Sequence, residues 1–181
     1  RLFNLLAQLL PDGVEGGVST VPGSFKAFIS SDHQIQTMVE NLWHCVDHLD
    51  DLSQRTGRTM HLDLEPEPLC LLETSDEVVR FFERLSNHRP GDSRLHHYVR
   101  VNYDTCHLAV EFEDPHQALE HLQQHQIRVG KIHLSSALKV RPSPRSLPAL
   151  RAFADPVYLH QVVIRSPDHP LRRFRDLPDA L

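Results

Sequence analysis

Three short segments alternate apolar side chains with ionisable or amide ones, and this pattern constrains the fold more than any other feature. The segments are Met60, Leu62 and Leu64 with His61, Asp63 and Glu65; Val99, Val101 and Tyr103 with Arg100, Asn102 and Asp104; and Ile132 and Leu134 with Lys131 and His133. A period of two predicts β-strands with one apolar and one polar face. The strands of an open parallel sheet are covered by helices on both faces and read as nearly continuous apolar runs. A polar second face therefore favours a closed barrel, in which that face lines the lumen.

Amphipathic helices are predicted between these strands. Capping-box patterns at residues 31–34 and 74–77 precede apolar residues at three- and four-residue steps, and Asp114 followed by Pro115 begins a third helix. The first of these helices is predicted to end near Gly57. Weaker strands are predicted at 17–21 and 158–164, and a last helix at 173–180. Alternating strands and helices predict right-handed crossovers and a parallel sheet.

The predicted fold is therefore an α/β TIM barrel, of the (β/α)8 type, that occupies residues 1–181 as one domain. A complete barrel needs about 250 residues, and only about five strands are predicted here. We expect the chain to contain the middle and later βα units of an incomplete barrel, with strands missing at both ends.

Composition narrows the possible partners. The chain has 19 basic and 24 acidic residues and a formal charge of -5, so no nucleic-acid partner is expected. No apolar run is long enough to span a membrane. The three cysteines are scattered, which argues against a disulfide framework and favours a reducing, cytoplasmic location. Cys106 is expected to be a packing residue that points away from its neighbour His107.

Ionisable residues stand where the predicted strands end. Glu65, Asp104 and His133 end three successive strands, and His107 follows Asp104 by three residues. Because the carboxyl ends of barrel strands meet at one face, these side chains are predicted to converge on a divalent metal ion. The alternatives are a solvated loop acid at Glu65, a helix cap at Asp104 with His107 packed in the loop, and a core histidine at His133.

Two further residues are candidates for substrate binding. His160, in the next predicted strand, is either a ligand or substrate contact or a buried structural histidine. Lys139, together with Arg141, lies after His133 and either holds an anionic substrate group or belongs to a solvated basic loop.

Three blocks of the sequence carry a resemblance to a known family. They are LEPEP at 64–68, YDTCHLAVEFEDP at 103–115 and VGKIHLS at 129–135. Together they resemble the EboE-type metabolite-traffic family, within the xylose-isomerase-like barrel superfamily that includes sugar isomerases, sugar epimerases and endonuclease IV-type nucleases. The resemblance implies a divalent ion (Zn, Mn or Mg) bound by Glu65, Asp104 and His133, with His107 near the substrate. The epimerases add a glutamate from the final strand, which has no counterpart here, and the additional histidines of the nuclease branch have none at 18–21.

The leading functional hypothesis is isomerisation or epimerisation of a hydroxylated small metabolite through an enediolate, or a supporting role in secondary-metabolite traffic. Glu65 and His107 are the predicted catalytic residues, and His107, His160 and Lys139 the predicted substrate-binding ones. One alternative is metal-dependent hydrolysis of phosphate esters or phosphodiesters at a multinuclear zinc site. Another is a barrel that binds a metabolite without turnover. The sequence leaves the oligomeric state open.

Overall fold

The fold is described by a computed structural model that covers residues 1–181. Four parallel strands, β1 (Gly16–Thr20), β2 (Met60–Leu64), β3 (Val99–Asp104) and β4 (Val129–His133), form one sheet in the order β1-β2-β3-β4. The helices are α1 (Leu2–Leu9), α2 (Asp32–Thr56), α3 (Ser75–His88), α4 (Arg94–Tyr98), α5 (Thr105–Val110), α6 (Pro115–Gln124), α7 (Ser146–Arg151) and α8 (Leu177–Ala180), with a 3₁₀ turn at Lys26–Phe28. The predicted parallel α/β arrangement is confirmed. None of these helices combines the length and apolarity needed to cross a membrane.

Helix α2 begins and ends where its capping residues predict. The side chains of Ser31 and Gln34 form a reciprocal capping box at its N-terminus. At its C-terminus Gly57 adopts a left-handed conformation (φ 67°) and donates its N–H to the carbonyl of Ser53. The predicted capping box of α3 is only half formed. The Thr74 hydroxyl accepts from the backbone N–H of Glu77, but the Glu77 carboxylate accepts from the N–H of Glu73 and not from that of Thr74.

The apolar core lies between the helices and one face of the sheet. Met60, Leu62, Leu64, Val99 and Val101 of the strands belong to a cluster of 21 buried residues that also contains the apolar stripes of α2 and α3. Trp43 is fully buried there, and its indole N–H donates to the carbonyl of Leu85 at 3.0 Å. This packing leaves the alternate residues of each strand on the opposite face.

That opposite face is polar and strongly curved. The Lys131 ammonium of β4 lies 3.0 Å from the Ser19 hydroxyl of β1, although β2 and β3 separate these strands in the sheet. A β-bulge between Val101 and Asn102 shifts the register of β3 against β4, and bulges bend a sheet in this way. The sheet is thus a half-barrel whose concave face carries the polar side chains, and a complete eight-stranded barrel is not formed by these residues.

The C-terminal part differs from the prediction. β5 (Val162–Ile164) pairs antiparallel with β6 (Arg172–Phe174) in a separate two-stranded sheet, so the predicted fifth parallel strand at 158–164 is wrong. Only a short turn-rich segment separates these strands, which suits a hairpin and leaves no room for a crossover helix. The predicted helix at 173–180 begins only at Leu177, where Asp176 accepts its backbone N–H.

Candidate metal centre

The side chains of Glu65, Asp104 and His133 meet at the carboxyl ends of β2, β3 and β4. One potential ligand atom from each lies within 4.8 Å of the others. His133 Nδ1 is 3.3 Å from Glu65 Oε1 and 3.4 Å from Asp104 Oδ2. The structure therefore brings together the three residues that the alternation and strand ends single out.

The side chain of Asn102, on β3, forms a hydrogen bond with the Glu65 carboxylate. Its Nδ2 donates to Glu65 Oε2 at 2.6 Å and lies 3.2 Å from His133 Nδ1. Asn102 is fully buried, and its Oδ1 has no hydrogen-bond partner. The alternation places Asn102 on the polar face without predicting a role for it. Its position beside the end of β2 was the available signal.

Asp104 has two different tasks, one for each carboxylate oxygen. Oδ1 caps α5 by accepting from the backbone N–H of Cys106 at 2.9 Å and of His107 at 3.4 Å, and it also accepts from the Ser135 hydroxyl. Oδ2 faces His133. Burial acts to raise the pKa of Asp104, but the hydrogen bonds from Ser135 and Cys106 and the nearby His107 outweigh it, so this pKa lies below its ordinary value. The capping alternative and the ligand position are thus compatible.

His107 lies on α5 at the rim of this cluster. Its Nδ1 is 3.0 Å from the carbonyl oxygen of Pro66 and 3.6 Å from Glu65 Oε1. A carbonyl only accepts, so Nδ1 donates this hydrogen bond, and in the neutral ring the lone pair is on Nε2. The proline-containing segment after β2 thereby fixes the tautomer of a histidine beside the carboxylate.

Cys106 is closer to the centre than expected. The expectation that it points away from His107 assumed an extended segment, whereas residues 105–110 form α5. Its Sγ, an Asp104 oxygen and a His107 nitrogen lie within 4.8 Å of one another. Burial raises the pKa of the Cys106 thiol.

The charges around the centre suit a cation. Glu65 and Asp104 have only histidine rings as potential cationic partners within 4.0 Å. The buried Glu111, by contrast, is paired directly with Arg173 at 2.5 Å. Two carboxylates and neutral imidazoles are donors that a borderline divalent ion accepts, so the residues present fit such an ion.

The remaining predicted substrate contacts lie outside this cluster. His160 precedes the β5–β6 hairpin, where its backbone N–H donates to Asp176 at 2.9 Å and its ring Nδ1 is 4.0 Å from the same carboxylate. Lys139 is exposed in the loop after β4. The structure does not bring either residue to the Glu65 cluster, because the strand that was to place His160 is not part of the main sheet.

Comparisons with known proteins give a weak structural similarity. No family model matches the chain, and no curated protein matches it. A solved structure that does match is the apo form of the 3-keto-D-glucoside 4-epimerase YcjR from E. coli, at 16% identity and a TM-score of 0.31, over 75% of this chain and 63% of that one. The chain thus spans less than two thirds of that enzyme's length. This similarity is too weak to assign a function, and the resemblance to the EboE-type family stays a prediction.

Proposed function

We propose that the chain carries the centre of a divalent-metal-dependent enzyme that isomerises or epimerises a hydroxylated small metabolite, as implied by its resemblance to the xylose-isomerase-like barrel superfamily, which contains the EboE-type family. The observation that supports this proposal is the convergence of Glu65, Asp104 and His133, within 4.8 Å of one another, at three adjacent strand ends. These residues would hold the ion. Of the expected ions, Zn or Mn suits an imidazole beside two carboxylates better than Mg, which prefers oxygen donors alone.

The roles of the side chains follow from their contacts. A divalent ion held by Glu65, Asp104 and His133 would supply Lewis acidity that polarises the substrate oxygens. Asn102 donates to Glu65 Oε2 and thereby keeps the carboxylate oriented toward the centre. His107, with its Nε2 lone pair, accepts and returns a proton at the carbon next to a carbonyl, as a general base and acid. Glu65 remains deprotonated as a ligand or exchanges the proton with the neighbouring ring.

Metal binding is tested first. Mn(II) titration followed by electron paramagnetic resonance is expected to give one tight site, and Glu65→Gln and His133→Gln each weaken it at least about tenfold, the scale of losing a group that supports a metal site. His125→Gln is the control, because His125 is exposed on the far end of α6. Unchanged Mn(II) affinity in Glu65→Gln and His133→Gln would remove the proposal.

Turnover is tested separately. The metal-loaded protein is incubated with aldoses and ketoses in deuterium oxide, and proton NMR detects exchange at the carbon next to the carbonyl. Exchange is expected in the wild type and is lost in His107→Gln while Mn(II) still binds. Metal binding without exchange for any substrate would favour the non-catalytic alternative.

The second donor group supports one alternative function. Asp104, Cys106 and His107 form a second group of potential ligands and would be able to hold another ion, and metal-dependent ester hydrolysis commonly uses two ions. Elemental analysis showing two zinc ions per chain, together with cleavage of p-nitrophenyl phosphate esters, would favour the hydrolase. One ion per chain favours the isomerase.

A further inference from the structure

Lys131 is a half-buried residue of the concave face, and its ammonium group has no acidic partner within 4.0 Å. Its only hydrogen bond goes to the Ser19 hydroxyl at 3.0 Å, and it forms no ion pair. Lys26, by contrast, contacts the carboxylates of Glu73 and Glu77 at 2.6 Å each. An ammonium group has three donors. Lys131 therefore has two donors left for an acceptor that the protein does not supply.

The position of Lys131 connects it to the candidate metal centre. Lys131 precedes His133 by two residues on the same strand, so both side chains leave the same face about 7 Å apart. Asn102 lies opposite Lys131 in the register and contacts Glu65 and His133. The side chain of Asn102 thus lies between Lys131 and the candidate metal centre. A short hydroxylated carbon chain is long enough to span this separation.

Ser19 completes an anion-binding pair. Its hydroxyl oxygen accepts from Lys131, which leaves the hydroxyl proton free to donate. The ammonium of β4 and the hydroxyl of β1 meet across the concave face and present donors to one oxyanion, and Lys131 has no carboxylate within ion-pairing distance. The nearest acid by register is Asp63, opposite Ser19; its Oδ1 contacts His61 at 2.7 Å, and its buried Oδ2 has no hydrogen-bond partner but forms no ion pair with Lys131.

We propose that Lys131 and Ser19 bind an anionic group, a phosphate or a carboxylate, of a substrate whose hydroxyl groups face Glu65, Asp104 and His133. This inference rests on the proposed function and narrows its substrate class to hydroxylated small-molecule anions. Lys131, and not the exposed Lys139 of the loop after β4, then holds the anionic group of the substrate.

Calorimetric titration of the Mn(II)-loaded protein tests the proposal with two anions and a neutral compound. The probes are inorganic phosphate, glycolate and, as the uncharged analogue of glycolate, ethylene glycol. Wild type is expected to bind at least one anion and not ethylene glycol, and the anion that binds identifies the group as phosphate or carboxylate.

The variants then test the role of Lys131. Lys131→Met is expected to lower the affinity for that anion at least tenfold, and Lys131→Arg to retain most of it. Arg80→Met is the matched control, since it removes one positive charge from the exposed face of α3 and should change affinity less than twofold.

Two variants separate the outcomes. Glu65→Gln should lose Mn(II) yet keep anion affinity within about threefold, whereas anion binding that disappears in Glu65→Gln and persists in Lys131→Met overturns the inference and leaves the metal site intact. If wild type binds no Mn(II) but still binds the anion, and this binding is lost in Lys131→Met, the proposed function is refuted while the anion site stands. Ser19→Ala keeps the test decisive if Lys131→Met does not fold, because it is a small change on the outer strand β1. This variant should bind the anion several-fold more weakly than wild type, and equal affinity in the two proteins would overturn the inference.

Discussion

Gly130→Ala is expected to destabilise the protein because no space exists for a methyl group at this position. A Cβ on Gly130 would overlap the carboxylate of Asp63 and lie 2.8 Å from His61 Nδ1 and 2.9 Å from its Cε1. The backbone of Gly130 is not left-handed, so alanine adds no conformational strain and the effect is steric. His61 and Asp63 are both buried and joined at 2.7 Å, so they cannot move apart into solvent.

The magnitude follows from these contacts. Overpacking a filled site costs about 1–3 kcal/mol, and separating a buried hydrogen-bonded pair costs about 3–5 kcal/mol. The methyl group either overpacks the site or pushes His61 and Asp63 apart, so the free energy of unfolding should fall by about 3 kcal/mol. A domain is typically stable by about 5–15 kcal/mol, so the variant should fold but unfold at clearly lower denaturant.

Urea denaturation followed by the fluorescence of Trp43, the single tryptophan, measures this loss. Gly57→Ala is the control, since Gly57 is left-handed and a Cβ added there would meet no atom within 4 Å, so alanine should cost about 1 kcal/mol. In the double variant with Asp63→Ala the overlap with the carboxylate disappears and His61 gains space to move away from the methyl group, so the two losses should fall short of additivity by at least about 1 kcal/mol. If Gly130→Ala lowers the free energy of unfolding no more than Gly57→Ala does, the argument that His61 and Asp63 fill the space beside Gly130 is refuted.

Three further predictions concern single side chains. Asn102→Ala should weaken Mn(II) binding by about 10–100-fold in a titration, because Glu65 loses its orienting donor. Burial raises the pKa of Cys70 to about 12, so at pH 8 this thiol should react with a disulfide reagent roughly a thousandfold more slowly than an exposed one, measured by mass spectrometry. Burial and the bond to Asp50 raise the pKa of Tyr98. Its contribution to stability is present below about pH 10 and lost as pH rises through the raised folded value, so Tyr98→Phe should flatten the alkaline fall in urea stability.

The alternating pattern predicted the main sheet well because periodicity and burial coincide there. Every outward residue of β2 lies in the core, and its inward residues face the concave side. The strand ends then placed Glu65, Asp104 and His133 correctly, since parallel strands necessarily end at the same edge. These are consequences of backbone geometry and need no knowledge of distant contacts.

The C-terminal region could not be predicted in the same way. Val162–Ile164 is a short apolar run that suits either a parallel or an antiparallel strand, and only its pairing with β6 decides. That pairing is reinforced by Arg173, which reaches Glu111 and Glu73 far away in the chain. Contacts of this kind leave no periodic signal, so the predicted fifth strand and the placement of His160 were wrong together.

The two oxygens of Asp104 explain why local and functional interpretations of one residue need not exclude each other. A helix cap requires one carboxylate oxygen near the backbone N–H groups of the first turn, and here Oδ1 meets that need at Cys106 and His107. The same bonds fix the rotation of the carboxylate, which directs Oδ2 toward His133. Capping therefore orients the predicted ligand and begins the helix that carries His107. A short strand followed at once by a helix builds both sides of the centre from one sequence motif.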